Sequence, residues 1–184
     1  MSHGFTLIEL IVVMLIVGIL SAVGLPMLTE FVADQRVRTV ASDLTGDVAF
    51  ARAKAIEASR RVFIAKTGAL WANGWRIFVD LNNSGTFDAG EELKVSNGFP
   101  AGNLYVCTIS ANSDFLNSVI LRPDGRVART SVAGAGVDGT DGLYIVDTLG
   151  DADLANNKVR ALMFGVSGRV NVVRQNGTLP CAAN

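Results

Sequence analysis

The segment HGFTLIELIVVMLIVGILSAVGLP, residues 3–26, decides how this chain is built. Between Phe5 and Leu25 the only polar side chains are Thr6, Glu9 and Ser21. At about 1.5 Å per residue, an α-helix of this length spans about 30 Å, which is the thickness of the hydrocarbon core of a bilayer. The segment therefore predicts a membrane-spanning helix.

Two alternatives are a cleaved secretory signal peptide and a buried core helix. A signal peptide requires a basic stretch before its apolar run and a small-residue cleavage site after it. Here the four residues before Phe5 contain no Lys or Arg, and a helical pattern continues beyond Pro26. Both features favour the spanning helix.

Glu9 is the one charged residue of the apolar segment. A carboxylate in hydrocarbon costs about 3 kcal/mol on insertion scales and is usually kept for a partner. Cleavage between Gly4 and Phe5 would create an α-amine one helical turn from Glu9, on the same helix or on a neighbouring one. We expect this charge pair to set the register of identical helices that pack side by side.

The same segment resembles the class III signal and first helix of type IV pilins and type II secretion pseudopilins. The resemblance implies that prepilin peptidase cleaves after Gly4, that Phe5 is N-methylated, and that Glu9 guides the subunit into a filament. It also implies that Pro26 kinks the helix. The leader MSHG departs from the family pattern because it has no Lys or Arg.

After Pro26 the hydrophobic pattern becomes amphipathic. Six apolar residues recur at spacings of three and four, which predicts one buried helical face: Val37, Val40, Leu44, Val48, Ala51 and Ala55. Charged residues, Asp43 and Asp47 among them, fill the other faces. The helix is expected to continue to about Ser59.

Beyond Arg60 the period changes to two, in short β-branched and aromatic runs separated by Gly, Asn, Asp and Pro. This pattern predicts antiparallel strands. RPDGRV and GVSGRV are typical of tight hairpin turns, and residues 132–141 are predicted to form a flexible loop. GWRIFVDLNNSGTFDAGEE and SGRVNVVRQNG resemble the GspH/FimT/FimU group.

The fold class is therefore α+β. We expect a type IV pilin-like fold in which a long N-terminal helix packs on a β-rich antiparallel head. The predicted organisation is a leader at 1–4, a transmembrane and filament-core helix at 5–25, an amphipathic half of the helix at 26–59, and a GspH/FimT-like head at 60–184.

Little in the sequence favours catalysis. The single histidine, His3, lies in the leader, which excludes Ser-His-Asp, Cys-His and His-ligated zinc chemistry from the processed chain. Carboxylate pairs such as Glu91 and Glu92, or Asp151 and Asp153, are interpreted as solvated loop residues. We therefore expect a protein that is not an enzyme.

The stretch DLNNSGTFDAGEE matches the EF-hand loop template at positions 1, 3, 5, 6, 7, 9 and 12. The matching residues are Asp80, Asn82, Ser84, Gly85, Thr86, Asp88 and Glu91. A strand precedes the loop in place of a helix, no helix is visible after it, and its low charge implies weak affinity. Two interpretations stay open: a metal-free polar hairpin loop, which is favoured, and a calcium site.

The two cysteines, Cys107 and Cys181, are far apart and form no CxxC or Cys/His cluster, which argues against a metal site. In an exported domain the natural interpretation is one disulfide that ties the C-terminal tail to the head. Two free buried thiols are the alternative.

The region from Leu154 onwards carries basic residues, Arg169 and Arg174 among them, and no acidic residue. Such an excess suits DNA phosphates, although the net charge of −1 does not describe a general nucleic-acid binder. FimT-like minor pilins that bind DNA carry a GRxR motif, but Asn171 stands here in place of its second arginine. Arg174 is expected on the opposite strand face, so ordinary strand charges are favoured over DNA binding.

The resemblance implies a minor pilin that takes part in initiating a type IV pilus or in its tip complex. The alternatives are a GspH-like minor pseudopilin of type II secretion and a FimT-like DNA-binding module for natural transformation. The implied partners are major and minor pilins, prepilin peptidase, the inner membrane and its assembly platform. The subunit would first sit in the inner membrane with its head in the periplasm, and later in a pilus or pseudopilus at the cell surface.

Overall fold

A computed structural model of the chain describes residues 6–99, 104–108, 115–128, 142–147, 158–165 and 167–175. Its one long helix, α1, spans Leu7–Ala58, and a short 3₁₀ turn spans Trp71–Asn73. The strands are β1 Val62–Lys66, β2 Gly74–Val79, β3 Glu92–Asn97, β4 Leu104–Thr108, β5 Ser118–Leu121, β6 Val127–Ala128, β7 Gly142–Asp147, β8 Lys158–Phe164 and β9 Val170–Gln175.

These strands form two antiparallel sheets. One has the order β3-β2-β1-β5-β6 and the other the order β4-β7-β8-β9. The predicted α+β fold, a long helix on an antiparallel head, is confirmed. The loop predicted at 132–141 lies outside the described residues.

Helix α1 is 52 residues long. It begins at Leu7, two residues after the predicted start at Phe5, and ends at Ala58, next to the predicted end at Ser59. The Thr6 hydroxyl oxygen caps the first turn by accepting a bond from the Glu9 N–H at 3.4 Å. Ser59 ends the helix in a left-handed conformation, with φ of 52°. The helix continues through residue 26, and the kink at Pro26 stays a prediction.

The apolar stripe of α1 lies against both sheets. All six residues of the predicted stripe are buried in one cluster with side chains of β1, β2, β7 and β8. The first buried residue of α1 is Ala33, and none of the described side chains before it is buried. Among the described residues, the head therefore covers the C-terminal half of the helix.

Strand β7 is buried on both of its faces. Leu143 and Ile145 join the cluster around α1, whereas Tyr144 and Val146 belong to a second buried cluster with Val159. Because side chains alternate along a strand, a strand covered on both faces carries a continuous apolar run. Residues 143–146, with the sequence LYIV, form such a continuous apolar run.

Both predicted hairpin turns are present, and they touch each other. Gly125 donates to the carbonyl of Arg122 at 2.8 Å, and Gly168 donates to the carbonyl of Gly165 at 2.8 Å. Gly125 and Gly168 have φ of 75° and 77°. A Cβ atom on Gly168 would collide with the carbonyl oxygen of Gly125.

We expect Gly168→Ala to lower the free energy of unfolding by about 2–4 kcal/mol, since left-handed strain and a main-chain clash add together. Gly46→Ala is the matched control, because a Cβ there meets no atom within 4 Å inside α1. It should raise stability by up to about 1 kcal/mol. Urea titration followed by tryptophan fluorescence measures both changes, and equal effects of the two substitutions would contradict the assigned contact.

Candidate functional site

The described side chains of the N-terminal half of α1 present an apolar surface. Its large side chains are exposed, for example Leu7 at 78%, Ile8 at 70% and Met14 at 69%. Glu9 lies exposed in the first turn, and the next charged residue along the chain is Glu30. The predicted processing residues Gly4 and Phe5 lie outside the described part of the chain. Within the described part of the chain, no helix is long and apolar enough to cross a membrane.

An ion-pair network fastens α1 to the four-stranded sheet. Arg160 of β8 is only 9% exposed, and its Nη2 lies 3.1 Å from Asp34 Oδ1 on the helix. Arg38 Nε lies 2.8 Å from the other oxygen of Asp34. Arg160 shares strand parity with Leu162 and so faces α1. Arg160 is one of the residues that make the C-terminal region basic. In the fold its charge is paired with Asp34 and is largely buried.

The two arginines considered for DNA do not come together. Arg169 is exposed in the turn between β8 and β9, whereas Arg174 lies near the other end of β9, paired in register with Arg160. Five strand residues correspond to about 17 Å. Arg169 instead lines a surface hollow of about 400 Å³ together with Arg52 of α1. No sequence signal linked Arg52 to Arg169, because the two arginines line one hollow only when the β8–β9 turn packs beside the helix.

A buried carboxylate links α1 to the edge of the five-stranded sheet. Asp47 is 2% exposed, and it accepts bonds from Trp75 Nε1 at 2.6 Å, Lys94 Nζ at 2.5 Å and Ser96 Oγ at 3.0 Å. The sequence placed Asp47 among the solvent-facing charges of the helix, which is wrong. The reason is tertiary, since strands β2 and β3 bring three donors to that helical position.

Residues 80–91 form the connection between β2 and β3, so the loop is a β-hairpin loop as its sequence suggested. Its base is held to the chain that follows α1. The Asp80 N–H donates to the carbonyl of Arg61 at 2.9 Å, and Arg60 Nη1 donates to the carbonyl of Leu81 at 2.7 Å. The loop is thus fixed beside the C-terminal end of the long helix.

Asp80 is completely buried at the start of this loop. Its Oδ2 accepts bonds from Arg61 Nη2 at 2.7 Å and from the Gly85 N–H at 3.3 Å. Its Oδ1 is buried without a hydrogen-bond partner. Gly85 has φ of 74°, which suits the sharp turn that its template position requires.

Glu91 closes the loop from the other side and is 3% exposed. Its Oε1 accepts from the Leu81 N–H at 2.8 Å, and its Oε2 accepts from the Asp88 N–H at 3.0 Å. The expectation that Glu91 and Glu92 are solvated loop residues is wrong, because Glu91 is buried and Glu92 begins β3. The pair Asp151 and Asp153 lies outside the described residues.

An aromatic contact that the sequence did not reveal anchors the tip of the loop. Phe87 packs edge-on against Phe78 of β2, with ring centroids 5.6 Å apart. The Arg76 guanidinium lies 4.0 Å above the Phe87 ring. Phe87 therefore holds the loop against the sheet.

The polar side chains of the loop contact one another. Asp88 Oδ2 accepts from Asn82 Nδ2 at 2.8 Å and from Ser84 Oγ at 3.1 Å. Across the described residues, no three carboxylate, imidazole or thiol side chains are grouped as a ready metal site. A cation here would also need amide, hydroxyl and main-chain oxygens, including that of Thr86. Calcium binding therefore stays a prediction.

Cys107 lies on β4 and is in a disulfide bond. Cys181, the other cysteine of the chain, lies outside the described residues. The pairing of Cys107 with Cys181 stays a prediction.

Comparison with known proteins places these features in a family. The family model described as Type II transport protein GspH matches residues 40–150, and the model of the prokaryotic N-terminal methylation motif matches residues 1–25. The pilin-like protein PilA1 of Thermus thermophilus is 35% identical over 104 residues, which cover 55% of this chain and 62% of that protein. The match thus spans less than two thirds of this relative.

Two crystal structures of the type IV minor pilin FimU of Pseudomonas aeruginosa share the fold. One has a TM-score of 0.53 at 16% identity, and the alignment covers 81% of this chain and 99% of FimU. The other has a TM-score of 0.50 at 16% identity, with coverages of 77% and 99%. Because the GspH model covers more than half of the chain and the methylation motif precedes it, the chain belongs to the GspH family of type IV minor pilins and type II secretion pseudopilins.

Proposed function

We propose that this chain is a minor pilin, a structural subunit that helps to initiate a type IV pilus or forms part of its tip complex. The observation that carries the proposal is the exposed apolar half of α1. From Leu7 to Val32 the helix extends about 39 Å at about 1.5 Å per residue, and Ala33 is the first of its described side chains to be buried. Such a surface requires lipid or other apolar helices around it.

In the proposed assembly path the apolar helix is surrounded first by lipid and then by other apolar helices. Residues 5–25 first reside in the inner membrane with the head in the periplasm, and the subunit then moves into a bundle of similar helices. Prepilin peptidase cleaves after Gly4, and Glu9 pairs with the α-amine of a neighbouring subunit's Phe5. The methylation-motif match and the position of Glu9 in the first helical turn support this path. The partners are other pilins and the assembly platform.

A minor pseudopilin of type II secretion is the second candidate, favoured by the description of the matching family model. A DNA-binding module for transformation is the third, supported by the proximity of the exposed Arg169 to Arg52. The helix and the head are compatible with all three roles. The distinction therefore requires a phenotype.

Deletion of the gene separates these roles. We expect surface pili to become rare, because a subunit that initiates filaments acts before all others, while secretion of type II substrates continues. The measurements are counts of pili by electron microscopy, export of a secreted enzyme and transformation frequency, with a complemented strain as control. Normal piliation with lost secretion would establish the pseudopilin, and normal piliation with lost transformation would establish the DNA-binding role.

A further inference from the structure

We propose that the loop formed by residues 80–91 binds one calcium ion, with Asp80 Oδ1 as its central ligand. This inference is independent of the role of the chain in a filament. It concerns the β2–β3 hairpin at the end of the long helix, away from the apolar segment.

One carboxylate oxygen of Asp80, Oδ1, is buried without a hydrogen-bond partner. The residue is completely buried, and a buried acceptor without a partner destabilises the folded state. The sister oxygen Oδ2 accepts from the Gly85 N–H at the turn of the loop, so the carboxylate faces the loop interior. With Oδ2 also engaged by Arg61, Oδ1 is left to contact an ion.

The other oxygen atoms at template positions of the loop lie close to one another. Ser84 Oγ lies 2.9 Å from the main-chain oxygen of Thr86 and 3.1 Å from Asp88 Oδ2. Asn82 Nδ2 also donates to Asp88 Oδ2. The oxygens at template positions 5, 7 and 9 are therefore already joined by hydrogen bonds through the Ser84 hydroxyl. Rotation of the Asn82 amide would present its oxygen in place of its nitrogen.

The charge of the loop and the type of its ligand atoms also favour calcium. Three carboxylates, those of Asp80, Asp88 and Glu91, occupy template positions of the loop. They are not yet grouped around one point in this structure, and Arg61 offsets the charge of Asp80. The loop contains only oxygen ligands, which suits a hard cation with six to eight oxygen neighbours, that is, calcium. Neutral side chains at Asn82 and Ser84 reduce the attraction, so we expect a dissociation constant of about 10⁻⁴–10⁻³ M, as in extracellular calcium modules.

Calcium would also act on the junction between helix and sheet. The loop is bonded to Arg60 and Arg61, which directly follow α1, and Phe87 packs on the sheet. An ion bound only in the folded state stabilises that state by mass action. Occupancy would therefore raise the thermal midpoint of the head.

The test is calcium titration of the full-length, detergent-solubilised chain by calorimetry in chelator-treated buffer. We expect one saturable site, and at least about tenfold weaker binding for Asp80→Asn and for Asp88→Asn, equivalent to about 1.4 kcal/mol. Asp124→Asn is the matched control. Asp124 belongs to the β5–β6 turn, where its Oδ1 accepts from the Arg126 N–H at 3.1 Å, and its loss should leave calcium binding unchanged.

Asp80 is buried and ion-paired, so circular dichroism must first show that its variant is folded. Asp88 is exposed, and its variant therefore provides the second, independent measurement. Absence of a saturable heat in the wild-type chain would overturn the proposal. Binding by Asp88→Asn as tight as in the wild type, or magnesium binding as tight as calcium binding, would overturn it as well.

Discussion

Glu9→Leu is expected to remove this subunit almost completely from filaments while leaving its level in the membrane unchanged. The substituted helix is more apolar and should insert at least as well. In the filament, however, the α-amine of a neighbouring Phe5 would lose its carboxylate partner. An uncompensated buried charge costs about 3–5 kcal/mol, which corresponds to a loss of more than about a hundredfold in incorporation.

The measurement is an immunoblot of sheared surface filaments against the membrane fraction. Glu57→Leu is the control, because Glu57 lies exposed near the other end of α1, in a surface ion pair with Lys54. Surface pairs of this kind contribute little, so Glu57→Leu should assemble normally. Equal incorporation of Glu9→Leu and wild type would refute the proposed pairing, as would filament-derived protein that still begins at Met1.

Asp47→Ala is expected to lower the free energy of unfolding by about 2–4 kcal/mol. The main loss is at Trp75, which is 2% exposed and whose Nε1–H would be left without its acceptor. The Lys94 side chain is 50% exposed and can turn to water, so its pairing contributes little. Ser96 loses the third bond to the same carboxylate.

Denaturant unfolding of the full-length chain in detergent measures this loss. Asp43→Ala is the control, because Asp43 is an exposed residue that lies about one helical turn before Asp47 on α1. Its removal should change stability by less than about 0.5 kcal/mol. Asp47→Asn should fall between wild type and Asp47→Ala, since an amide oxygen still accepts from Trp75. Asp47→Ala as stable as Asp43→Ala would show that the buried contact contributes nothing.

Strand β3 shows why part of the head escaped prediction. Its run ELKVSN lies at the edge of the five-stranded sheet, and five of its six side chains are exposed. Leu93 and Val95 alternate with polar residues, but two apolar side chains in a run of six give only a weak period-two signal. By contrast, the apolar stripe of α1 is buried along its whole length from Val37 to Ala55, and it was predicted correctly.

The candidate calcium loop was likewise predicted only in part. Its oxygen-bearing residues and Gly85 follow a local spacing that is readable from the sequence. The burial of Asp80 and Glu91 and the anchoring of Phe87 on Phe78 depend on how the hairpin packs. The favoured metal-free interpretation rested on spacing and flanking elements alone, and the unsatisfied Oδ1 of Asp80 became visible only in the fold.

The amino-acid sequence by itself determined the long helix, its exposed apolar half, the position of Glu9 and the hairpin turns, because each depends on neighbours within one or two turns of the chain. Only the tertiary structure decided which polar groups meet. Arg160 reaches Asp34 across 126 residues, and Asp47 reaches Lys94 across 47. Such contacts follow from strand order in two sheets and from the side of α1 that each sheet covers, which no local period encodes.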